Sequence, residues 1–497
     1  MKFIALTKTD YILFRECSKN LWYKIHKPDI YSKLELSDFE KLIIETGNEV
    51  ELVARKLFPK GVLVNGRGEK SQQETKKLLL EHQQVIFQPI FVKDGYLAAV
   101  DILELQNDGT YNIYEVKSTN SVDEKTHYHD LSFQINLLKK CSVKINKAYI
   151  IHLNPEYIRT GELNIIKLFK IVDVSDKVAE IIDEVEIEMV QALKYILTDE
   201  EPKGFCKCIY KGRSNHCSTF KYSNPQIPEY GVHDISRIGI SKATLQELVD
   251  VNIFNLKDVP EHIKFSVSQR NQIDAHVFNK ILIDKYKINE ELDALIFPLY
   301  FLDYETFPSA IPRFNGFSSY KQIPFQYSLH LLDSKDAELK HLEFLFTDST
   351  DPSLEFVKSL QESIGDEGSI IVWNKKFECK INEEIAERNP NFKLFIDSIN
   401  IRVYDLMDIF YKQYYVHKDF KGKVSIKSIL PVLVSELSYK SIEIQEGGMA
   451  SQNWNKINNG NISELEKEKI IKDLKIYCKM DTYAMYSIWK FLSKLTN

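Results

Sequence analysis

The sequence lacks the features that would mark a membrane or secreted protein. No apolar run among its 497 residues approaches the roughly 20 residues of a membrane-spanning helix. Asp10 stands where a secretory signal peptide needs an apolar core, so we expect a cytoplasmic protein without a membrane partner. Internal repeats and low-complexity tracts are also absent. Apolar residues make up 44% of the chain and charged residues 27%, as in folded globular proteins, and the length suffices for two to four domains.

Excess positive charge is missing as well. The formal net charge is -6 at pH 7, which disfavours a protein that coats nucleic acid nonspecifically. The same balance is compatible with a basic groove that lies beside acidic metal-binding residues. Net charge alone therefore leaves the kind of partner open.

Cysteine is scarce, and its seven positions are unevenly spread. Three of them stand close together in the segment "FCKCIYKGRSNHCSTF", as Cys206, Cys208 and Cys217. In a reducing compartment such a cluster indicates metal binding more than disulfide formation. The cysteines that occur singly are predicted to be small buried side chains; they are Cys141, Cys379 and Cys478.

Hydrophobic periodicity predicts an α/β protein with two α/β domains joined by a small helical module. Residues 1–60 have mainly helical spacing, and residues 85–117 have the pattern of strands and turns. From residue 298 a strand-rich block begins and then alternates strands with helices. Helices are also predicted at 129–140 and 174–196, with a strand at 147–153 between them. The predicted domain limits are 1–222, 223–292 and 293–497.

The segment "YFLDYETF" places two acids in an apolar strand. Asp303 and Glu305 are two positions apart, so both side chains lie on the same strand face. Burying two like charges side by side is costly unless a cation lies between them. Further on, Glu378 lies in a predicted helix, and a long predicted helix carries Tyr477 and Asp481, four residues apart on one face. Such a set can hold two divalent ions for phosphodiester hydrolysis, with Tyr477 orienting the attacking water.

The order Asp-x-Glu, Asn-x-x-Phe-acid and Tyr-x-x-x-Asp resembles the DEDDy 3′–5′ exonucleases, which have a ribonuclease H-like fold. Residues 298–497 as a whole resemble an uncharacterised bacterial family with such a domain at its carboxyl end. One position departs from the exonuclease pattern, because Glu378 stands where most of these enzymes have Asp. The resemblance implies a Mg²⁺ or Mn²⁺ site whose ligands are Asp303, Glu305, Glu378 and Asp481.

Two further residues of this block have alternative interpretations. Asp405, in "RVYDLMDIF", is either a further carboxylate ligand or a structural support. Lys427, in "VSIKSIL", is either a contact for substrate phosphate or a solvated lysine. The sequence leaves both alternatives open.

A second acidic set surrounds the turn Asn107-Asp108-Gly109, which separates two predicted strands. A two-residue loop would set Asp101 opposite Val116. A three-residue loop with a left-handed glycine sets Asp101 opposite Glu115 instead, and then Asp101, Glu115 and Lys117 share one face. In a metal-dependent phosphodiesterase the carboxylates bind the ion, and the lysine positions water or stabilises charge on the phosphate.

This Asp…Glu-x-Lys set resembles the PD-(D/E)XK nucleases, in particular their RecB-like branch. The segment "ETGNEVE" matches a helix of that branch but has Glu51 where histidine is usual, and Glu51 remains a candidate metal ligand. Gln134, in "SFQINLL", matches a glutamine of the following helix, although the tyrosine usual four positions later is Leu138. The resemblance implies a second nuclease site.

Cys17 precedes this predicted nuclease domain, and the cysteine cluster follows it. The pattern resembles the iron–sulfur members of the RecB-like branch, such as the CRISPR-associated adaptation exonucleases. The resemblance implies a structural [4Fe–4S] cluster that ties the start of the domain to its end. The spacing of the late cysteines is unusual for that group, which leaves open whether Cys206 and Cys208 are both ligands. Zinc, with His216 as a further ligand, and free thiols are the alternatives to the cluster. The candidate ligands are Cys17, Cys206, Cys208 and Cys217.

Between the two predicted nuclease domains, "VHDISRIGISKATLQELVDVNIFNLKDVP" resembles a helix–hairpin–helix segment. Such modules hold a nucleic acid backbone through main-chain N–H groups and nearby basic side chains. Arg237, Lys242 and Lys257 are the candidate contacts. The alternative is a helical spacer with ordinary surface charges.

Together these patterns predict a metal-dependent nuclease with two sites, which acts on nucleic acid in bacterial DNA processing or defence. DNA is favoured over RNA as the substrate. The substitutions at Glu51, Leu138 and Glu378 support an alternative, a nucleic-acid-binding protein in which one or both nuclease sites are degenerate.

Overall fold

The computed structural model describes residues 5–31, 38–458, 460 and 462–496. The chain divides into two compact units. Unit 1 comprises Met1–Ile209, Asn215–Ile227 and Ala310–Tyr320, and unit 2 comprises Tyr210–Ser214, Pro228–Ser309 and Lys321–Asn497. Within the described ranges, no helix has both the length and the apolar character that crossing a lipid bilayer requires.

Unit 1 is built on a mixed six-stranded sheet with the order β2-β3-β6-β7-β8-β9 among the described residues. A smaller sheet has the order β1-β5-β4. The strands are β1 (Leu6–Thr7), β2 (Val62–Leu63), β3 (Val85–Phe87), β4 (Ile90–Lys93), β5 (Tyr96–Ala99), β6 (Ile102–Leu105), β7 (Tyr111–Lys117), β8 (Ile145–Leu153) and β9 (Phe169–Asp173). The helices are α1 (Lys8–His26), α2 (Pro28–Tyr31), α3 (Asp38–Ala54), α4 (Glu69–Leu80), α5 (Glu124–Lys140), α6 (Ile165–Leu168), α7 (Ser175–Ile196) and α8 (Phe220–Ser223).

The β6–β7 hairpin has the register of the three-residue loop. Leu105 pairs with Tyr111 and Ile102 with Tyr114, so the same register carries Asp101 to the level of Glu115. Gly109 has a φ of +81°, the left-handed conformation that this loop requires and that glycine adopts without strain. The predicted register is therefore confirmed.

Helix α1 is fixed at its start by a capping box. The Thr7 hydroxyl accepts a hydrogen bond from the Asp10 backbone N–H at 3.1 Å, and the Asp10 carboxylate accepts one from the Thr7 backbone N–H at 3.3 Å. Tyr11 and Leu21 are fully buried in a core that also contains Phe133 of α5. Cap and core together fix the position of the first residue of α1, Lys8.

Unit 2 is built on a five-stranded sheet with the order β13-β12-β11-β14-β15 in the described part of the chain. Strand β11 is antiparallel to β12 and parallel to β14. The strands are β10 (Leu282–Ile283), β11 (Leu299–Pro308), β12 (Gln322–Leu332), β13 (Lys340–Leu345), β14 (Ser369–Val372), β15 (Val403–Asp405) and β16 (Tyr415–Val416). The helices are α9 (Lys242–Asp250), α10 (Val267–Val277), α11 (Lys285–Asp293), α12 (Ser353–Ser363), α13 (Lys375–Arg388), α14 (Lys393–Ile401), α15 (Asp408–Tyr411), α16 (Ile426–Leu433), α17 (Gly447–Asn458) and α18 (Glu464–Thr496).

The predicted mixed α/β class is confirmed. The helices expected at 129–140 and 174–196 correspond to α5 and α7, and the strand expected at 147–153 lies in β8. The finer fold assignments and the three domain limits stay predictions.

Candidate metal centres

Strand β11 presents the first acid pair on one face, as the two-residue spacing predicts. Asp303 lies opposite Ser328 and Glu305 opposite Gln326 on β12, and the register shifts directly after Glu305. Both acids line one cavity of about 400 Å³ in unit 2. We call this cavity the carboxylate pocket, and its polar lining includes Asp303, Glu305, Glu378, Lys427, Tyr477 and Asp481.

Glu378 reaches the carboxylate pocket from the first turn of α13. It is 3% exposed, and its Oε2 atom has no hydrogen-bond partner among the described residues. Burial raises the pKa of Glu378 to about 8. Asn374, which precedes the helix, has a φ of +136°, a strained conformation of the kind that concentrates at functional sites. The unsatisfied buried oxygen fits a ligand for a cation.

Helix α18 contributes Tyr477 and Asp481 to the same pocket. The Tyr439 hydroxyl donates to Asp481 Oδ1 at 2.6 Å, and Lys427 Nζ donates to the Tyr477 hydroxyl at 3.1 Å. Lys427 therefore contacts the predicted site rather than extending freely into solvent. No pattern in the sequence pointed to Tyr439, which is 42 residues from its partner Asp481 along the chain.

Cys478 also lies beside the acid pair. One ligand atom from each of Asp303, Glu305 and Cys478 falls within 4.8 Å of the others. The prediction that this cysteine is buried is confirmed, since its exposed fraction is 0%. Its place three residues before Asp481 on the same helix was the available signal that it reaches the site.

The carboxylate pocket concentrates negative charge. Burial, followed by the charge of Asp481, raises the pKa values of Asp303 and Glu305 well above their ordinary range. Burial also raises the pKa of Asp481 to about 6, although the Tyr439 hydrogen bond and Lys427 oppose this shift. Divalent cations would offset this repulsion, and carboxylate oxygens are the ligands that Mg²⁺ and Mn²⁺ prefer.

Asp405 fits the structural alternative. Its Oδ2 accepts the backbone N–H of Lys375 at 2.9 Å, and its Oδ1 accepts that of Met407 at 3.1 Å. Asp405 is not among the residues that line the carboxylate pocket. The contact with Lys375 supports the start of α13, the helix that carries Glu378, and the contact with Met407 supports the start of α15.

In unit 1 the predicted Asp101, Glu115 and Lys117 converge. Lys117 Nζ lies 2.8 Å from Glu115 Oε1, and Asp101 Oδ2 accepts the backbone N–H of Val116 at 2.8 Å. Burial raises the pKa of Asp101 to about 7, and the charge of Glu115 adds to this shift. Burial alone would raise the pKa of Glu115, but Lys117 and Lys8 hold it well below its ordinary range.

Helix residues complete this N-terminal cluster, which we define as Asp101, Glu115, Asp130 and Glu51. Gln134 Nε2 donates to Glu115 Oε2 at 2.7 Å and to Asp130 Oδ1 at 3.2 Å. Asp130 was not among the predicted ligands. Its place four residues before Gln134 on one helix was an available signal that it reaches the same site. Lys117 Nζ lies 2.5 Å from Asp130 Oδ2.

Glu51 is connected to the cluster through Gln88. The Gln88 amide donates to Glu51 Oε1 at 2.6 Å and to Asp101 Oδ1 at 3.0 Å. Arg55, one helical turn after Glu51, forms an ion pair with it at 2.5 Å. Glu51 thus stands near Asp101, but a cation already pairs with it.

The structure brings the four predicted cysteine ligands together. The Sγ atoms of Cys17, Cys206, Cys208 and Cys217 all lie within 4.8 Å of one another, and all four are free thiols. Asn224 Nδ2 donates to Cys206 Sγ at 3.2 Å. This cysteine group could hold a metal ion.

His216 and the three basic residues of the helical module occupy different surroundings. The His216 ring stacks on Phe220 at 3.5 Å between centroids, and His216 is not part of the cysteine group.

Arg237 donates to the Tyr411 hydroxyl at 3.0 Å and lines a second cavity of about 590 Å³ in unit 2. Lys242 is the first residue of α9, and Lys257 lies in a short 3₁₀ helix. Neither of these two lysines lines that cavity.

Comparison with known proteins finds a partial match to one family model and three uncharacterised relatives. Residues 300–425 match the family model described as "Domain of unknown function (DUF2779)". An uncharacterised protein of Ureaplasma parvum is 28% identical over 298 residues, which cover 56% of this chain and 41% of the relative. Uncharacterised proteins of Mycoplasma pneumoniae and Mycoplasma genitalium are 26% and 27% identical, over 39% of this chain and 32% of each relative. The chain thus spans less than half the length of these curated relatives. The matches support an uncharacterised bacterial family that carries a DUF2779 domain.

Proposed function

We propose that the chain is a metal-dependent nuclease whose principal site is the carboxylate pocket of unit 2. The observation that carries this proposal is the convergence of four acids from a strand and two helices on one cavity, together with Tyr477 and Lys427. The unsatisfied Oε2 of Glu378 and the crowded acids of β11 make the pocket suited to Mg²⁺ or Mn²⁺. The proposed fold of this region is ribonuclease H-like, and the proposed reaction is 3′–5′ exonucleolytic hydrolysis.

Each residue of the pocket has a separate part in this reaction. When bound, the divalent ions supply an activated water and stabilise the leaving oxygen of the phosphodiester. Tyr477 orients the water through its hydroxyl, which Lys427 holds by a hydrogen bond of 3.1 Å. Tyr439 holds Asp481 by a hydrogen bond of 2.6 Å. The preformed contacts keep both helix residues in position before a substrate enters.

The N-terminal cluster is proposed as a second phosphodiesterase site, of the PD-(D/E)XK type. Asp101 and Glu115 would hold the ion, Lys117 would stabilise charge on the phosphate, and Gln134 would position Glu115. The helical module would hold the nucleic acid backbone through Arg237, Lys242 and Lys257. DNA is the proposed substrate class, and the cysteine group is proposed to hold a structural [4Fe–4S] cluster, with zinc as the alternative.

The test is a degradation assay with end-labelled single- and double-stranded DNA and RNA, with Mg²⁺, Mn²⁺ or a chelator. We expect ion-dependent release of nucleotides from the 3′ end, and we expect Asp303→Asn to abolish it. Asp333→Asn is the matched control, because Asp333 is an exposed acid of the same unit that pairs with Lys340. Full activity of the Asp303→Asn variant would refute the assignment of the carboxylate pocket.

One observation favours a second candidate function for unit 1. Positively charged side chains already pair with the acids of the N-terminal cluster. Such pairing is expected in a nucleic-acid-binding domain whose nuclease site is degenerate. Binding of labelled oligonucleotide without cleavage, by a variant that lacks the carboxylate pocket, would support this alternative.

The metal of the cysteine group has its own test. A brown colour after anaerobic purification, lost in Cys17→Ser, would decide for iron–sulfur over zinc.

A further inference from the structure

The ammonium group of Lys8 lies among the acids of the N-terminal cluster. Its Nζ atom is 2.8 Å from Glu115 Oε1 and 3.0 Å from Glu115 Oε2. It is 4.0 Å from Asp101 Oδ1 and 3.9 Å from Asp130 Oδ1. A group with three carboxylates around it at these distances occupies the position expected for a bound cation.

The backbone fixes this arrangement. Lys8 is the first residue of α1, and the capping box of Thr7 and Asp10 holds the helix start. The first turn is anchored by Tyr11, which is fully buried. The side chain of Lys8 is 21% exposed, so water screens its charge only in part. Lys8 is thus a resident cation of the cluster rather than a mobile surface lysine.

The oxygens of the two proposed ligands already accept hydrogen bonds. Glu115 Oε1 accepts from Lys8 and Lys117, and Glu115 Oε2 accepts from Lys8 and Gln134. Asp101 accepts from the Val116 backbone N–H and from the Gln88 side chain. A divalent ion bound to Glu115 would have to displace Lys8 or lie beside its positive charge, and either requirement lowers its affinity.

We propose that Lys8 is an internal counter-ion that competes with divalent metal in the N-terminal cluster and so determines the metal affinity of that site. The inference rests on the proposed function, because it ranks the two proposed metal sites. The carboxylate pocket becomes the site of higher affinity, and the N-terminal cluster binds metal weakly as long as Lys8 is in place. Lys8 is therefore the residue that sets how strongly the N-terminal site binds metal.

The experiment measures Mn²⁺ binding to the full chain by titration calorimetry and by electron paramagnetic resonance of free Mn²⁺. The background is Asp303→Asn with Asp481→Asn, which removes two of the four proposed ligands of the other site. In this background we expect Lys8→Met to raise Mn²⁺ affinity at least tenfold, about 1.4 kcal/mol. Adding Glu115→Gln should remove the gain. Lys177→Met is the matched control, because Lys177 is an exposed lysine of unit 1 that pairs with Glu180.

Lys8→Gln provides the same comparison in case the apolar methionine lowers stability, because it removes the charge but keeps a donor for Glu115. Mn²⁺ should then raise the melting temperature of Lys8→Gln more than that of the background. The proposal is overturned if neither variant gains affinity, or if the gain persists with Glu115→Gln. Since binding is measured without substrate, this outcome is independent of a failure of the nuclease assay.

Discussion

The two acidic clusters differ in the source of their positive charge. In the N-terminal cluster, Lys8, Lys117 and Arg55 contact the acids directly, with Nζ or Nη atoms 2.5–2.8 Å from their nearest carboxylate oxygens. In the carboxylate pocket Lys427 lines the cavity, but its hydrogen bonds go to Tyr477 and to the Gln445 carbonyl. The first cluster is neutralised from within, whereas the acids of the second have no such direct partner among the residues that the structure describes, and under the proposed function their counter-ions come from solution.

The pKa shifts follow the same division. Lys117 and Lys8 depress the pKa of Glu115, whereas burial and neighbouring acids raise the pKa values of Asp303 and Glu305. A carboxylate set with an internal cation is stable without metal but binds it weakly. A set without such a cation is strained when empty and binds metal strongly. The two clusters contain similar residue types, but we expect the carboxylate pocket to depend on metal more than the N-terminal cluster does.

The largest expected effect concerns catalysis. Asp481→Asn should reduce exonuclease activity about a thousandfold, because it removes several kcal/mol of transition-state stabilisation. Lys117→Ala should change the same activity less than about threefold at micromolar Mn²⁺. Nucleotide release from a 3′-labelled strand measures both. A larger loss with Lys117→Ala than with Asp481→Asn would reverse the ranking of the two sites.

The second effect is on stability, and its sign should differ between the clusters. Glu115→Gln leaves Lys8 and Lys117 without their shared carboxylate and should lower the free energy of unfolding by about 3 kcal/mol. Glu305→Gln relieves the repulsion between Glu305 and Asp481 and should raise the free energy of unfolding by about 1 kcal/mol in chelator. Urea unfolding of the metal-free protein measures both values. Glu355→Gln, at an exposed pair with Lys358, is the control and should leave the value unchanged.

The smallest effect is a pH dependence of the metal-free protein. Burial raises the pKa of Glu378 from 4.5 to about 8, so the folded state holds a proton that the unfolded state has lost across this range. Stability should therefore fall as the pH rises from about 5 to about 8. Glu378→Gln should flatten the fall between about pH 5 and about pH 8, as measured by melting temperature in chelator. An unchanged slope in this variant would contradict the shift.

The sequence predicted the parts of each site that depend on local periodicity. The position of Asp101 at the level of Glu115 followed from a turn. The common face of Asp303 and Glu305 followed from strand alternation, and that of Tyr477 and Asp481 from helix spacing. These relations involve residues of one element or one hairpin. Local rules of backbone geometry were enough to find them.

Contacts between distant parts of the chain were not predictable in the same way. Lys8 is 107 residues from Glu115, and Tyr439 is 42 residues from Asp481. A lysine at the start of a helix or a tyrosine in a loop has no pattern of its own that indicates a partner. Packing of the whole unit determines which charge reaches which acid, and no short window of sequence contains that information.

The turn at Asn107–Gly109 has a consequence for how this chain can vary. Surface loops usually tolerate insertions and deletions, but this one sets which residue faces Asp101, about 20 Å away along the strand. If one of its residues were lost and Thr110 entered the loop in its place, Val116 would come opposite Asp101 and Glu115 would turn towards the other face. The number of residues in this exposed turn is thus constrained by the same site that constrains the identity of its buried ligands. Among relatives, we expect its residue identities to change more freely than its number of residues.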